Sequence, residues 1–223
     1  MDIPAWLVLI YRVPSEPASR RVAIWRDLKR LGALYLQQCV CILPRLGAVA
    51  DNLERVTLKI EGMGGEHTLF EVPRVRPETE SRIISAFRDL RNKEYAEIVE
   101  ECETKFIKEI DFEHFRQNYT FEEAEEIAQD LDKIRRWYAS IRERDWFGAD
   151  RADDVATWLD RCQTLLAGFE EEVYRRTGSE DNLGGPNEPG RDGLSLRDLQ
   201  SGDTSEPPLS PTGTKRRSND ALE

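Results

Sequence analysis

The chain is poor in residues that carry metal or redox chemistry. Histidine occurs twice, at His67 and His114, methionine twice, and cysteine four times, at positions 39, 41, 102 and 162. No Cys-x-x-Cys pair is present, and Cys39 with Cys41 alone falls short of a structural zinc set. These cysteines read as small buried hydrophobes. No phosphate-binding glycine loop, Gly-x-Ser-x-Gly elbow or histidine-rich metal motif occurs. Gly62-Met-Gly-Gly65 reads as a helix-to-strand turn. Catalytic residues, a metal and a cofactor are therefore not expected, and neither is an enzyme. The apolar run from Ala5 to Tyr11 is far short of the ~20 residues of a membrane span, and Met1-Asp2-Ile3-Pro4 lacks the basic start of a signal peptide. A cytoplasmic, reduced protein without a membrane partner is expected.

A net charge of −11 argues against a surface that binds nucleic acid as a whole. It leaves room for a local basic patch, because exposed charges are screened over about 8–10 Å. The first 50 residues hold seven Arg and Lys against three Asp and Glu. They also hold the start of a core. The continuous apolar run Trp6–Val13 predicts a buried strand, closed by Pro14. Ser15 is placed as the N-cap of a helix with Glu16 and Pro17 in its first turn. Ala18, Val22, Trp25, Leu28 and Leu31 recur at helical spacing, and Gly32 ends the helix. Ala33–Leu36 and Cys39–Leu43 read as a hairpin bent at Gln37-Gln38, with a single bent strand as the competing reading. A weaker helix over Leu46–Ile60 and a strand over Thr68–Val72 complete the order β-α-β-β-α-β. That order predicts an α+β fold opening with a ferredoxin-like domain over residues 1–76.

From residue 77 to 178 the pattern is helical and predicts an antiparallel bundle. Ile83, Ile84, Phe87, Leu90, Tyr95, Ile98 and Cys102 mark one long helix, with Asp111–Tyr119 as a linking segment. Thr120 and Glu123 form a capping box for a helix that Gly148 ends. A last helix spans Ala152–Arg176. Residues 179–223 are dominated by Gly, Pro, Ser, Asp and Glu, and predict a disordered tail. Its Lys215-Arg216-Arg217 reads as a solvated basic cluster.

Arg20, Arg21, Arg26, Lys29 and Arg30 sit on the first helix, and guanidinium forks suit phosphates and other oxyanions. Lys133, Arg135, Arg136, Arg142 and Arg144 form a second basic stretch, interleaved with Asp132, Glu143 and Asp145 in a way that helix salt bridges also explain. Glu94–Glu126 holds twelve acidic residues against three basic ones. Glu94, Glu97 and Glu101 fall on one helix face and read as a solvated face rather than a cation site.

Three early segments resemble the N-terminal region of the ChrB family of chromate-resistance regulators. They are Trp6-Leu-Val-Leu-Ile-Tyr-Arg-Val-Pro-Ser-Glu-Pro17, Arg21-Val-Ala-Ile-Trp-Arg-Asp-Leu-Lys-Arg-Leu-Gly-Ala33 and Tyr35-Leu-Gln-Gln-Cys-Val-Cys-Ile-Leu-Pro44. Glu94–Glu101, Asp130–Trp137 and Ile141–Gly148 follow in the same order, so the resemblance covers about residues 4–176. The first 75 residues are also similar to the middle domain of PaaX-type repressors and to small ferredoxin-like CRISPR-associated nucleases. Those nucleases carry an aspartate after the first strand's tyrosine, where Arg12 follows Tyr11 here. Only Asp2, Glu16 and Asp27 lie near that position.

The ChrB resemblance implies a transcriptional regulator that binds DNA upstream of a chromate-efflux operon and responds to chromate. On this reading Arg20, Arg21, Arg26, Lys29 and Arg30 contact DNA, with Arg135, Arg136 and Arg142 as a second contact. Two sensors of chromate are open: an arginine pocket drawn from Arg12, Arg20 or Arg45, or oxidation at Cys39 or Cys41. Longer ChrB proteins continue into a C-terminal domain, whereas this chain ends in a polar tail. The rival reading is a protein-interaction module that never touches DNA, in which the acidic helices bind a partner such as a separately encoded C-terminal ChrB-domain protein. Pairing of sheet edges into a homodimer is expected by analogy of fold.

Overall fold

A computed structural model of the chain describes residues 5–180. The tail from residue 181, with Lys215–Arg217, and Asp2 lie outside them. The chain is α+β: a four-stranded antiparallel sheet with two helices, then four further helices. The strands are β1 (Trp6–Arg12), β2 (Leu34–Gln37), β3 (Val40–Pro44) and β4 (Glu66–Val72), and the first helices are α1 (Ala18–Arg30) and α2 (Gly47–Gly62). The sheet order β2-β3-β1-β4 is that of the ferredoxin-like sandwich. β1 is central, with Leu9 opposite Cys41 on one side and Leu69 on the other. Alternation along β1 sends Leu7 and Leu9 to α1 and α2, where Ile24, Leu28, Leu53, Val56 and Ile60 complete a core.

The other face of the sheet is not left bare. Trp6 and Ile42 pack there against Ile83 and Phe87 of α3 (Pro77–Glu101) and against Trp146 and Phe147. Trp6 lies 6.0 Å from Phe87 and 5.8 Å from Phe147 between ring centroids, and its indole N–H donates to Glu80 at 3.1 Å.

Beyond α3 come α4 (Ile107–Arg116), α5 (Phe121–Arg142) and α6 (Ala152–Glu180), packed around one continuous core. The expected link at Asp111–Tyr119 is mostly helix, because α3 passes through a π-helical turn, Cys102–Phe106, straight into α4. Ile98, Cys102, Phe106 and Ile110 repeat every four residues, and all are buried. A helix of 3.6 residues per turn would carry such a series off its face, and the wider π turn brings it back.

Other boundaries shift for local reasons. α1 begins at Ala18 with Pro17 at the N-cap position and no side-chain cap, in place of Ser15. Proline disfavours helical geometry in the residue before it, so Glu16 cannot join the first turn. Thr120 does cap α5, accepting from the Glu123 N–H at 3.2 Å, but the Glu123 carboxylate accepts from Asn118 instead of closing the box. α5 stops at Arg142, six residues before Gly148.

The segment after α5 is held by buried polar bonds. Arg91 of α3 is 2% exposed and Glu94 8%. Glu94 lies 2.9 Å from Arg91 Nε and 2.9 Å from Arg144 Nη1. The Arg144 contact is a hydrogen bond; the Arg91 contact is an ion pair out of line with its N–H, which leaves Arg91 Nε and Nη1 without a hydrogen bond. Burial pulls the Arg91 pKa down, and the Glu94 charge opposes that. Asp145 accepts from Tyr95 Oη at 3.1 Å and from the Ala149 N–H at 3.0 Å. Thus Glu94, read from sequence as part of a solvated face, sits between two arginines in the interior.

Gly32 fits over this network. Its φ is +82°, and an added Cβ would lie 3.0 Å from Arg144 Cβ, 3.1 Å from Trp146 and 3.4 Å from Arg91 Nη1. Glu94→Ala leaves the buried Arg91 without its ion pair and facing the partly buried Arg144. The expected loss is about 3–5 kcal/mol, read from urea unfolding of the full chain. Gly32→Ala combines a left-handed backbone with crowding of Arg144 and Trp146, and should cost about 1–3 kcal/mol in the same assay.

Candidate nucleic-acid interface and the cleft beside it

Amphipathic spacing sets how α1 lies on the sheet. Only Ile24 and Leu28 are buried, with Leu31 half-buried behind them. The series Ala18, Val22, Trp25, Leu28 and Leu31 divides: Leu28 and Leu31 go inward, whereas its first half is turned outward, with Val22 42% and Trp25 47% exposed. The helix carries two apolar stripes about 100° apart, and the sheet takes the one through Ile24.

This rotation sorts the five α1 cations. Arg20 is half-buried and donates to the Met63 carbonyl at 3.3 Å, which ties α1 to the end of α2. Arg30 pairs with Asp27 at 3.4 Å, and Asp27 also accepts from Lys59 of α2 at 2.6 Å. Lys29 lies 5.4 Å from the centroid of Trp25. Arg21 and Arg26 are exposed, and neither has a charged or hydrogen-bonded partner among the described residues. The outward face of α1 is thus basic and aromatic together.

The second basic stretch is differently employed. Arg135 donates to Gln163 of α6 at 2.7 Å and lies 3.9 Å from Asp132. Lys133 pairs with Asp130 at 2.6 Å, and Arg142 lies 3.8 Å from the buried Asp145. Arg136 is exposed. The segment just after α5 meets the end of α1 at Gly32. Arg135 is nine residues back from Arg144, about 13 Å along the helix, and faces α6. The second stretch thus approaches α1 at Arg144 and leads away from it toward Arg135.

Beside α1 opens a cleft of about 710 Å³, between its outward stripe, the end of β1 and the β2–β3 turn. Arg12, Arg21, Val22, Trp25, Gln37, Gln38 and Cys39 line it, and no acidic residue does. At its floor the hydroxyls of Tyr11 and Tyr35 lie 3.0 Å apart. Burial raises both phenol pKa values, so both stay protonated at neutral pH. Cys39 takes a left-handed φ of 64° in the tight turn, and its carbonyl accepts from the Tyr11 N–H at 3.0 Å.

The four effector residues separate. Arg12 and Cys39 share the cleft. Cys41 is fully buried, and burial pushes its thiol up to about 12, so it holds no thiolate at neutral pH. Arg45 pairs with Glu71 at 2.7 Å at the opposite end of β1, beside Ala5. The seven-residue length of β1, about 20 Å, lies between it and Arg12, so those two arginines do not make one pocket. Trp25, Tyr11, Tyr35 and the Gln37-Gln38 pair are the lining residues that periodicity did not reveal. The one legible signal was a tryptophan set directly after Ile24 among arginines.

Among the described residues no group of three or more His, Cys, Asp or Glu is placed to hold a metal ion, and no helix is long and apolar enough to cross a membrane. No solved structure matches the chain. Protein ChrB of Cupriavidus metallidurans is 28% identical over 93 residues, which is 42% of this chain and 28% of that protein. The chain's match therefore spans under a third of that relative's length. The family described as "Protein ChrB, N-terminal" matches residues 21–180, from the cleft arginine on α1 to the end of α6. With well over half of its length in that match, the chain belongs to the ChrB N-terminal family.

Proposed function

We propose that this chain is a cytoplasmic, non-enzymatic regulator of chromate resistance that binds DNA upstream of a chromate-efflux operon through the outward face of α1. The observation that carries the reading is the unpartnered pair Arg21 and Arg26, flanked by Lys29 on Trp25, in a chain of net charge −11. Partnerless guanidinium groups on an exposed helix are available to phosphates without breaking internal bonds. Arg135 and Arg142, already bonded within the bundle, are weaker contacts on this reading, and Arg136 is the exposed member of that stretch. A homodimer is part of the proposal. Among the described residues β4 pairs only with β1, which offers one edge of a seven-residue strand to a second copy. Chromate acts through Cys39, the one cysteine of the four that is not buried.

A second reading is favoured by a separate observation. Phe112, Phe115 and Phe121 are 54%, 84% and 64% exposed within ten residues of chain. Such clustering supports the interaction module, with these rings meeting a partner such as a separately encoded C-terminal ChrB-domain protein.

Equilibrium titration of the full chain against its own upstream DNA, at two salt concentrations and with or without chromate, separates the readings. Specific binding should weaken with salt at a slope near −0.9 per phosphate neutralised. Arg21→Ala/Arg26→Ala should lower affinity and reduce that slope by about 2. Affinity no better than for random DNA would move the assignment to the interaction module. Cys39→Ser should keep DNA affinity and lose the chromate effect; a response equal to that of the parent chain would remove Cys39 as the sensor.

A further inference from the structure

The cleft beside α1 is larger and less polar than a phosphate contact needs. Its ~710 Å³ lies within the roughly 300–1,000 Å³ of organic-ligand sites. Its chemistry is divided. Arg12 and Arg21 both line it, and neither has a partner among the described residues. The start of α1 adds to their field, because Ala18 also lines the cleft, the helix has no side-chain cap and its first turn holds no acid. Between these positive groups lie Val22 and the indole of Trp25, close to half exposed on a helix whose core stripe is elsewhere. An inorganic oxyanion presents oxygen on every side and would leave that apolar surface in water. A duplex backbone on the outward face of α1 would engage Arg21 and leave the apolar surface of the cleft uncovered.

We propose that the cleft binds an organic anion, with a flat aromatic body against Trp25 and Val22 and a carboxylate or phosphate head between Arg12 and Arg21. A bound ring removes the exposed indole from water and gains from its face. The head gains charge-assisted hydrogen bonds from two guanidinium groups that break no existing bond to reach it. With no carboxylate in the lining, neutral or cationic ligands find no complementary charge. The binding needs no DNA, so it stands or falls apart from the regulator reading.

Cys39 makes the test direct, since it lines the cleft while Cys41, Cys102 and Cys162 are buried. The quantity measured is the rate at which N-ethylmaleimide labels Cys39 in the full chain, followed by peptide mass spectrometry. The probe is 1-naphthyl phosphate, compared with inorganic phosphate, 1-naphthol and a short single-stranded oligothymidine. Saturating 1-naphthyl phosphate should slow labelling about tenfold, with phosphate and naphthol at the same concentration giving less than about twofold. The protection should disappear in Arg12→Ala/Arg21→Ala and, separately, in Trp25→Ala, with melting temperatures unchanged. Equal protection by phosphate alone would make this an inorganic oxyanion site. Equal protection by naphthol would make it an apolar patch. Stronger protection by the oligothymidine would assign it to a nucleic-acid strand. Each of these, or no protection by any compound, overturns the proposal.

Discussion

A buried guanidinium is the constraint around which the rest is arranged. Arg91 is almost wholly removed from water, and a charge so placed is tolerated only where opposite charge meets it. Glu94 supplies that charge and shares it with Arg144. Because Arg144 belongs to the segment after α5, and Gly32 covers the same spot from the end of α1, three distant parts of the chain converge on one ion group. Apolar packing of Trp6, Phe87 and Phe147 lies on the same junction. Hydrophobic contact is indifferent to small rotations, while an ion triad with fixed distances is not. The triad therefore acts less as a source of net stability than as a registration point between the sheet and the bundle.

That registration has consequences for α1. Gly32 at its end is anchored, Arg20 is tied to Met63, and Asp27 is bridged to Lys59. The helix is thereby held with Ile24 and Leu28 inward, and Trp25, Val22, Arg21 and Arg26 are left outward. The same rotation that makes the basic face also opens the cleft, since both are what remains of the helix surface once the Ile24 stripe is buried. Residues otherwise suited to a core become available for binding, at the end of β1 where Arg12 lies opposite Glu66 of β4 but forms no ion pair with it among the described residues.

Much of the fold was legible in the residues. The apolar run of β1, the proline at its end, the glycine after α1 and the hairpin before Pro44 placed the βαββαβ order directly. Thr120 was legible as a cap. The errors share a cause. On α1 the series through Val22, Trp25 and Leu28 was one of two apolar stripes, and the sheet takes Leu28 with Ile24, which that series did not include. In α3, Glu94 looked like its acidic neighbours Glu97 and Glu101, because a buried carboxylate is distinguished only by partners fifty residues away. The end of α5 is hidden for the same reason: Asp145, three residues past it, is held by Tyr95 from fifty residues away, and nothing local announces it.

Sequence by itself determined the order of strands and helices, the acidic character of the chain with its basic beginning, and the absence of catalytic motifs. These depend on neighbours within a few residues, where spacing and turn chemistry act. Only the tertiary structure decided which α1 cations are free, that Arg12 and Arg45 stand at opposite ends of a strand, that Cys39 is open while Cys41 is sealed, and that a cleft exists. Each of those depends on desolvation and on partners brought together from far along the chain. Local pattern does not encode such placement until the sheet and the ion triad set it.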